Sequence, residues 1–166
     1  MQKGSLDMLR KVLTLILFSM PALLQAQEIF TGKVISVYNG DSFTIESENG
    51  TILKVVAMGI DAPELPQDYG LKSKEFAEKI LLNKKVKAYL MPGEFYGRRE
   101  CVVVTSDNIH FNYEMVVTGN AWWDYRYSKD QFLELAHKTA ISKEVGLWVD
   151  RGAQPPWDWS RSKRKR

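Results

Sequence analysis

Short alternating and β-branched runs come first along this chain, and apolar positions at helical spacing follow them. Val34 to Tyr38 reads as a strand, Asn39-Gly40 as a hairpin turn, and Phe43-Thr44-Ile45 as the returning strand. A third strand, rich in Val and Ile, is expected from Thr51 to Ile60, after the turn Glu48-Asn49-Gly50. Between Leu71 and Leu81, apolar Phe76, Ala77, Ile80 and Leu81 recur at helical spacing with Lys and Glu on the other face, which predicts an amphipathic helix. Val86 to Met91 and Cys101 to Thr105 are two further strands, separated by the polar turn Pro92 to Arg99. A short helix is expected from Phe111 to Val117, ending at Gly119, and a longer one from Lys129 to Val145, with Lys143 in its last turn and Gly146 as its stop. Strands precede helices, so the class is α+β and mainly β, and five strands suffice for a small barrel.

The first 26 residues stand apart from this pattern. Lys3, Arg10 and Lys11 precede an apolar run from Val12 to Leu24 that ends near Ala26, the pattern of a secretory signal. That run is about 13 residues, against the ~20 that span a bilayer as a helix, so a cleaved signal is expected rather than an anchor. The expectation is therefore an exported protein, periplasmic or secreted, with no membrane attachment after cleavage. Residues 27–150 are then one domain's worth of chain, expected as a monomer, and 151–166 a Pro/Trp-containing basic tail. The single cysteine, Cys101, excludes an internal disulfide and reads as a small buried hydrophobe in its strand. The formal charge of +3 falls to about +1 without residues 1–26, so basic character is local. It gathers in Arg161 to Arg166, five positive charges in six residues, expected as a solvated, disordered terminus that can add salt-sensitive affinity for a polyanion.

Three segments carry candidate chemistry. Asn39-Gly40-Asp41-Ser42 places one carboxylate at a turn, and Gly59-Ile60-Asp61-Ala62-Pro63-Glu64 supplies two more at a strand end. Hard divalent cations take clustered oxygen ligands, which two aspartates, a backbone carbonyl and waters provide, and Glu64 is then free to handle a water. Each segment by itself is equally a loop whose Asp and Glu cap turns. In the third, Tyr96-Gly97-Arg98-Arg99, a guanidinium can grip a phosphate through paired donors, or be a solvated charge in a turn. Downstream, an extended backbone through Ala121 to Tyr127 would set Trp123, Tyr125 and Tyr127 on one face, where rings can stack on bases. Trp122 and Trp123 read as core packing instead. His110 and His137 lie far from the carboxylates in sequence and read as structural.

Taken together, Asp41, the Asp61 to Glu64 run, the Tyr96 to Arg98 run and the closing Gly146-Leu147-Trp148 resemble, in order and spacing, the staphylococcal nuclease (thermonuclease-like) family, over about Ile29 to Trp148. Gln154 to Trp159 also resembles the Pro-Pro-Trp tail of its bacterial members. The resemblance implies a five-stranded oligonucleotide-binding barrel with about three helices and calcium-dependent hydrolysis of DNA and RNA phosphodiesters. By position it implies that Asp41, Asp61 and the backbone carbonyl of Ala62 hold the metal. It likewise makes Glu64 the general base, Arg98 a phosphate-holding arginine, and Tyr96, Tyr125 and Tyr127 nucleotide contacts. Ala62 replaces the usual threonine, which a backbone ligand tolerates.

Two positions depart from that pattern. Val56 stands where the family has a second catalytic arginine, and Lys54, two residues earlier on the same side of the strand, is the nearest basic candidate. A lysine lacks the paired donors of arginine, so a reduced rate is expected. Asn39 stands where the family often has another aspartate beside the metal. A rival reading keeps the barrel as a nucleic-acid-binding module with weak or no turnover. The joint presence of Asp41, Asp61, Glu64 and Arg98 argues against it. A third reading, an interaction barrel with a structural calcium site, has no residue that singles it out.

Overall fold

The computed structural model describes residues 27–94 and 96–164; the signal pattern in 1–26 lies outside the described residues. The chain opens with β1 (Glu28–Val37), β2 (Ser42–Glu46), β3 (Ile52–Ala57) and the two-residue β4 (Ile60–Asp61). Helix α1 (Gly70–Leu81) leads into β5 (Lys85–Leu90) and β6 (Arg99–Thr105). Then come α2 (Phe111–Val117), β7 (Trp122–Trp123), α3 (Gln131–Ser142), a 3-10 turn (Gly146–Val149) and α4 (Pro156–Arg164). Five strands close a barrel in the order β1-β2-β3-β6-β5, and β4 pairs with β7 in a separate small sheet. All barrel pairings are antiparallel except β3 with β6. The fold is thus the mainly β, α+β barrel expected of an oligonucleotide-binding type.

Closure depends on β1, which pairs with β5 through its first half and with β2 through its second. Inward positions at every second residue fill the barrel: Val34, Phe43, Ile45, Val55, Val86 and Val103 are all buried, with Phe111 and Met115 of α2 closing one end. Phe43 meets Phe111 edge to face at 5.6 Å between ring centres. Cys101 is buried in β6, as expected, and burial pushes its thiol up to about 12. Among the described residues no helix is long and apolar enough to cross a membrane.

Several boundaries differ from the sequence expectation, among them the start of β1, at Glu28 rather than Val34, where the added residues pair with β5. The strand expected from Thr51 to Ile60 breaks at Met58-Gly59, because Gly59 takes φ +77, a left-handed conformation that ends the extended run. Helix α3 spans Gln131–Ser142 rather than Lys129 to Val145. Asp130 caps its start by accepting from the N–H groups of Phe132 and Leu133, and Glu144 turns left-handed after Lys143, so Gly146 begins the 3-10 turn instead. The tail is not structureless through Arg164: α4 begins at Pro156, where proline's missing N–H costs a helix nothing, giving a fourth α-helix among the described residues.

One buried amide ties the barrel to the chain beyond that break. Asn112 donates to the carbonyls of Met58 and Cys101 and accepts from the N–H of Val103, so α2, β6 and the β3–β4 junction share a single side chain. Asn112→Ala is expected to cost about 1–3 kcal/mol for each buried partner left unpaired, read as a lower denaturation midpoint.

Candidate active site

The turn carrying Asp41 is shaped by its neighbours. Asn39 accepts through Oδ1 from the N–H groups of Asp41 and Ser42, at 3.2 and 2.8 Å, so it folds the turn from its side chain as an aspartate would. Gly40 lets this turn close on α1 and on Ala62, since a Cβ there would lie 2.0 Å from Ser73 Oγ and 2.6 Å from Ala62 Cβ. Asp41 is buried, and each of its oxygens is held. Ala62 N–H donates to Oδ2 at 2.7 Å and Ser42 Oγ donates to Oδ1 at 2.9 Å. Two segments 21 residues apart in sequence are thereby joined at one barrel rim.

Arg98 reaches the same rim from the turn before β6. Its Nη1 donates to Ser42 Oγ at 3.1 Å, and its guanidinium lies 5.8 Å from the Tyr38 ring centre. Val56 pairs directly with Ser42 across β2 and β3, so its side chain shares that outer face. Lys54 shares the same face opposite Thr44; it is exposed, and its charge acts on the Tyr38 hydroxyl.

Across the site, the register Ile60↔Trp123 and Asp61↔Trp122, extended by Asp124 N–H donating to Gly59 carbonyl, lays Asp124 alongside Asp61. The chain then reverses rather than continuing as the extended strand expected through Tyr127. The Asp124 carbonyl accepts from the N–H groups of Tyr127 and Ser128, and Asp124 Oδ1 from that of Arg126. This turn brings in a residue that the sequence pattern does not single out. Arg126 grips Asp124 through Nε at 2.7 Å and Nη2 at 2.6 Å, and Nη2 also lies 3.2 Å from Asp61 Oδ2. Asp124 and Arg126 do carry a visible signal, an acid and a base two residues apart between aromatic residues. The expectation of an extended backbone hides it.

The electrostatics follow from this crowding. Burial pushes Asp61 up to about 8, helped by the charges of Asp41, Asp124 and Glu64 and offset by Arg126. Burial also raises Asp41, offset by bonds from Ala62 and Ser42, and raises Glu64 together with the charge of Asp41, with Arg98 opposing. The Glu64 loop is itself braced. Its N–H donates to Gln67 Oε1, Gln67 N–H donates to the Glu64 carbonyl, and Gln67 Nε2 donates to the carbonyl of Gln154.

Among the described residues no three Asp, Glu, His or Cys side chains form a metal-holding group. A cation here would therefore rest on fewer: Asp41, Asp61 and the Ala62 carbonyl. Those hard oxygen donors fit a calcium-like ion, because the burial and the neighbouring negative charges that raise Asp61 are what a divalent cation offsets.

The expected aromatic residues divide. Tyr125 is 52% exposed and packs edge to face on Trp123 and Trp157; Tyr96 and Tyr127 are 91% and 84% exposed, with the Arg126 guanidinium 5.2 Å from the Tyr127 ring centre. Trp122 and Trp123 are half-buried, as packing residues rather than groove residues. Trp122, Trp123 and Trp148 surround His137, whose basicity burial lowers, so His137 is a packing residue.

Comparison with known proteins identifies the family to which the chain is similar. Residues 54–150 match the family described as staphylococcal nuclease homologue. The chain is 32% identical over 151 residues to an uncharacterized endonuclease of Escherichia coli O157:H7, covering 91% of this chain and 96% of that protein. A similar uncharacterized endonuclease of Haemophilus influenzae is 32% identical over 157 residues, covering 93% and 88%. A micrococcal nuclease of Shigella flexneri is 29% identical over 143 residues, covering 80% and 82%.

Proposed function

Because the chain belongs to the staphylococcal nuclease family, we propose that it is a calcium-dependent nuclease hydrolysing phosphodiester bonds of DNA and RNA. The observation that carries this reading is the meeting of Asp41, Asp61 and Glu64 at one barrel rim, with Arg98 linked to Asp41 through Ser42. Asp41, Asp61 and the Ala62 carbonyl would hold the metal. A bound calcium ion supplies charge neutralisation at the phosphate and orients the reactants.

The remaining steps belong to the chain's own groups. Glu64 takes a proton from the attacking water, and its raised pKa makes it a stronger base once ionised. Arg98 donates N–H groups to the non-bridging oxygens, whose charge grows as the water adds. Tyr96, Tyr125 and Tyr127 offer ring faces or edges to bases without selecting a sequence, which suits a nuclease of broad substrate range. Val56 supplies no donor from its side of the rim, and a lower rate follows than from a site with an arginine at that position. The signal pattern in residues 1–26 supports export, to the periplasm or beyond.

A cleavage assay on single-stranded DNA and RNA, in calcium, tests the reading beside Asp61→Asn. Wild type is expected to cut both strands and Asp61→Asn to lose cutting. Binding of either strand without cutting would leave a nucleic-acid-binding barrel in place of an enzyme.

A further inference from the structure

Four carboxylates, Asp41, Asp61, Glu64 and Asp124, crowd the rim, and a phosphodiester adds another negative charge. Two guanidinium groups stand among them. Arg98 bears on Asp41 and Glu64, and Arg126 bears on Asp61 from the opposite side. We propose that Arg126 is a second phosphate-binding residue of this centre, held in position by Trp157 of the C-terminal helix.

The geometry of its five donors carries the argument. The Nε and Nη2 edge of the fork is fixed on Asp124, and Nη2 also reaches Asp61. Among the described residues Nη1 has no protein partner, so the nitrogen farthest from the anchoring edge keeps its donors for another acceptor. A guanidinium that served Asp124 alone would need no contact with Asp61. This one lies against a carboxylate that the hydrolytic reading gives to the metal. Its side chain is 29% exposed, so substrate can reach it.

Within the segment matched by the family, which ends at residue 150, Asp124 and the Tyr127 ring at 5.2 Å hold the group; a further, closer contact comes from outside it. The Trp157 ring lies 4.1 Å from the Arg126 guanidinium carbon, a stacking distance, and Trp157 is itself packed edge to face on Trp122 and Tyr125. The same C-terminal segment braces Glu64 through the Gln154 carbonyl and Gln67. One strap thus touches both halves of the site. A donor set in place before reaction costs no reorganisation when charge builds on the phosphate. Arg126 makes and breaks no covalent bond; it donates N–H to a non-bridging oxygen.

The inference rests on the hydrolytic reading, and the test separates the two. Steady-state cleavage of single-stranded DNA at saturating calcium is measured for wild type, Arg126→Ala, Arg126→Lys, Trp157→Ala and Trp157→Phe, with calcium affinity measured by titration for each. The expected result is a kcat about 10²–10³-fold lower in Arg126→Ala. Arg126→Lys keeps the charge but loses the fork, and stays at least about tenfold below wild type. Trp157→Ala is expected to lower kcat more than it raises KM, with Trp157→Phe restoring most of the loss. If Arg126 only balances the charge of Asp61 and Asp124, Arg126→Lys has wild-type kcat, and Arg126→Ala binds calcium more tightly with kcat unchanged. That outcome overturns the proposal while leaving the nuclease reading intact. Absence of cleavage by wild type overturns both.

Discussion

Replacing Glu64 by glutamine is expected to lower the calcium-dependent cleavage rate by about 10²–10⁴-fold, the usual contribution of a positioned general base. The substitution keeps shape and hydrogen-bonding length and removes only the ability to accept a proton. Glu64 is half-buried beside Asp41, and both burial and that charge raise its basicity, while Arg98 draws it down. The loop is braced through backbone groups and Gln67, not through the Glu64 carboxylate, so the variant should fold as wild type does. An unchanged unfolding midpoint with a large fall in kcat and little change in KM is the expected pair of measurements. Equal cleavage by the two proteins would mean that another group, or a contaminating nuclease, activates the water.

Calcium affinity is expected to rise with pH up to about 8, by as much as about tenfold per pH unit below that value, and then to level off. Without metal, the half-buried Asp61 among its acidic neighbours holds its proton to about 8, whereas the unfolded chain releases it near 3.8. The unfolded state therefore binds fewer protons between those values, and the metal-free protein loses stability as pH rises from about 4 to 8. A cation at Asp61 must displace that proton, so calcium binding opposes the loss. Titration at pH 6, 7, 8 and 9 in buffers of different ionisation heat checks both the slope and the release of a proton near pH 7. A pH-independent affinity would mean that Asp61 is not a ligand.

The barrel is legible in the sequence because its strands carry a period of two with one face buried. Val34, Phe43, Ile45, Val55, Val86 and Val103 lie in the expected strands, and all are buried. The break at Gly59 is not legible, since a long Val/Ile run hides one left-handed glycine until tertiary pairing with Trp122 and Trp123 pulls the chain away. Asp41, Asp61 and Glu64 come from the motifs and Ala62 from the family resemblance they carry, and the structure joins the two segments through the Asp41 to Ala62 hydrogen bond. Arg126, and the packing of Trp157 against it, come only from the structure. Alternation across Trp123, Tyr125 and Tyr127 suggests a strand, whereas the Asp124 carbonyl and carboxylate fold these residues into a turn. Trp157 precedes the charge run that suggests solvation from Arg161, and two tryptophans and a proline start give the helix an apolar side to dock. Local pattern cannot register a cation that reaches its acid across 65 residues.

The most direct test of the hydrolytic centre is a single-turnover time course on end-labelled single-stranded DNA, with calcium present and then with calcium withdrawn by a chelator. Calcium-dependent cleavage that stops on chelation and resumes on re-addition is the expected result. Cleavage that continues through chelation, or tight strand binding with no cleavage at any calcium concentration, would contradict the account.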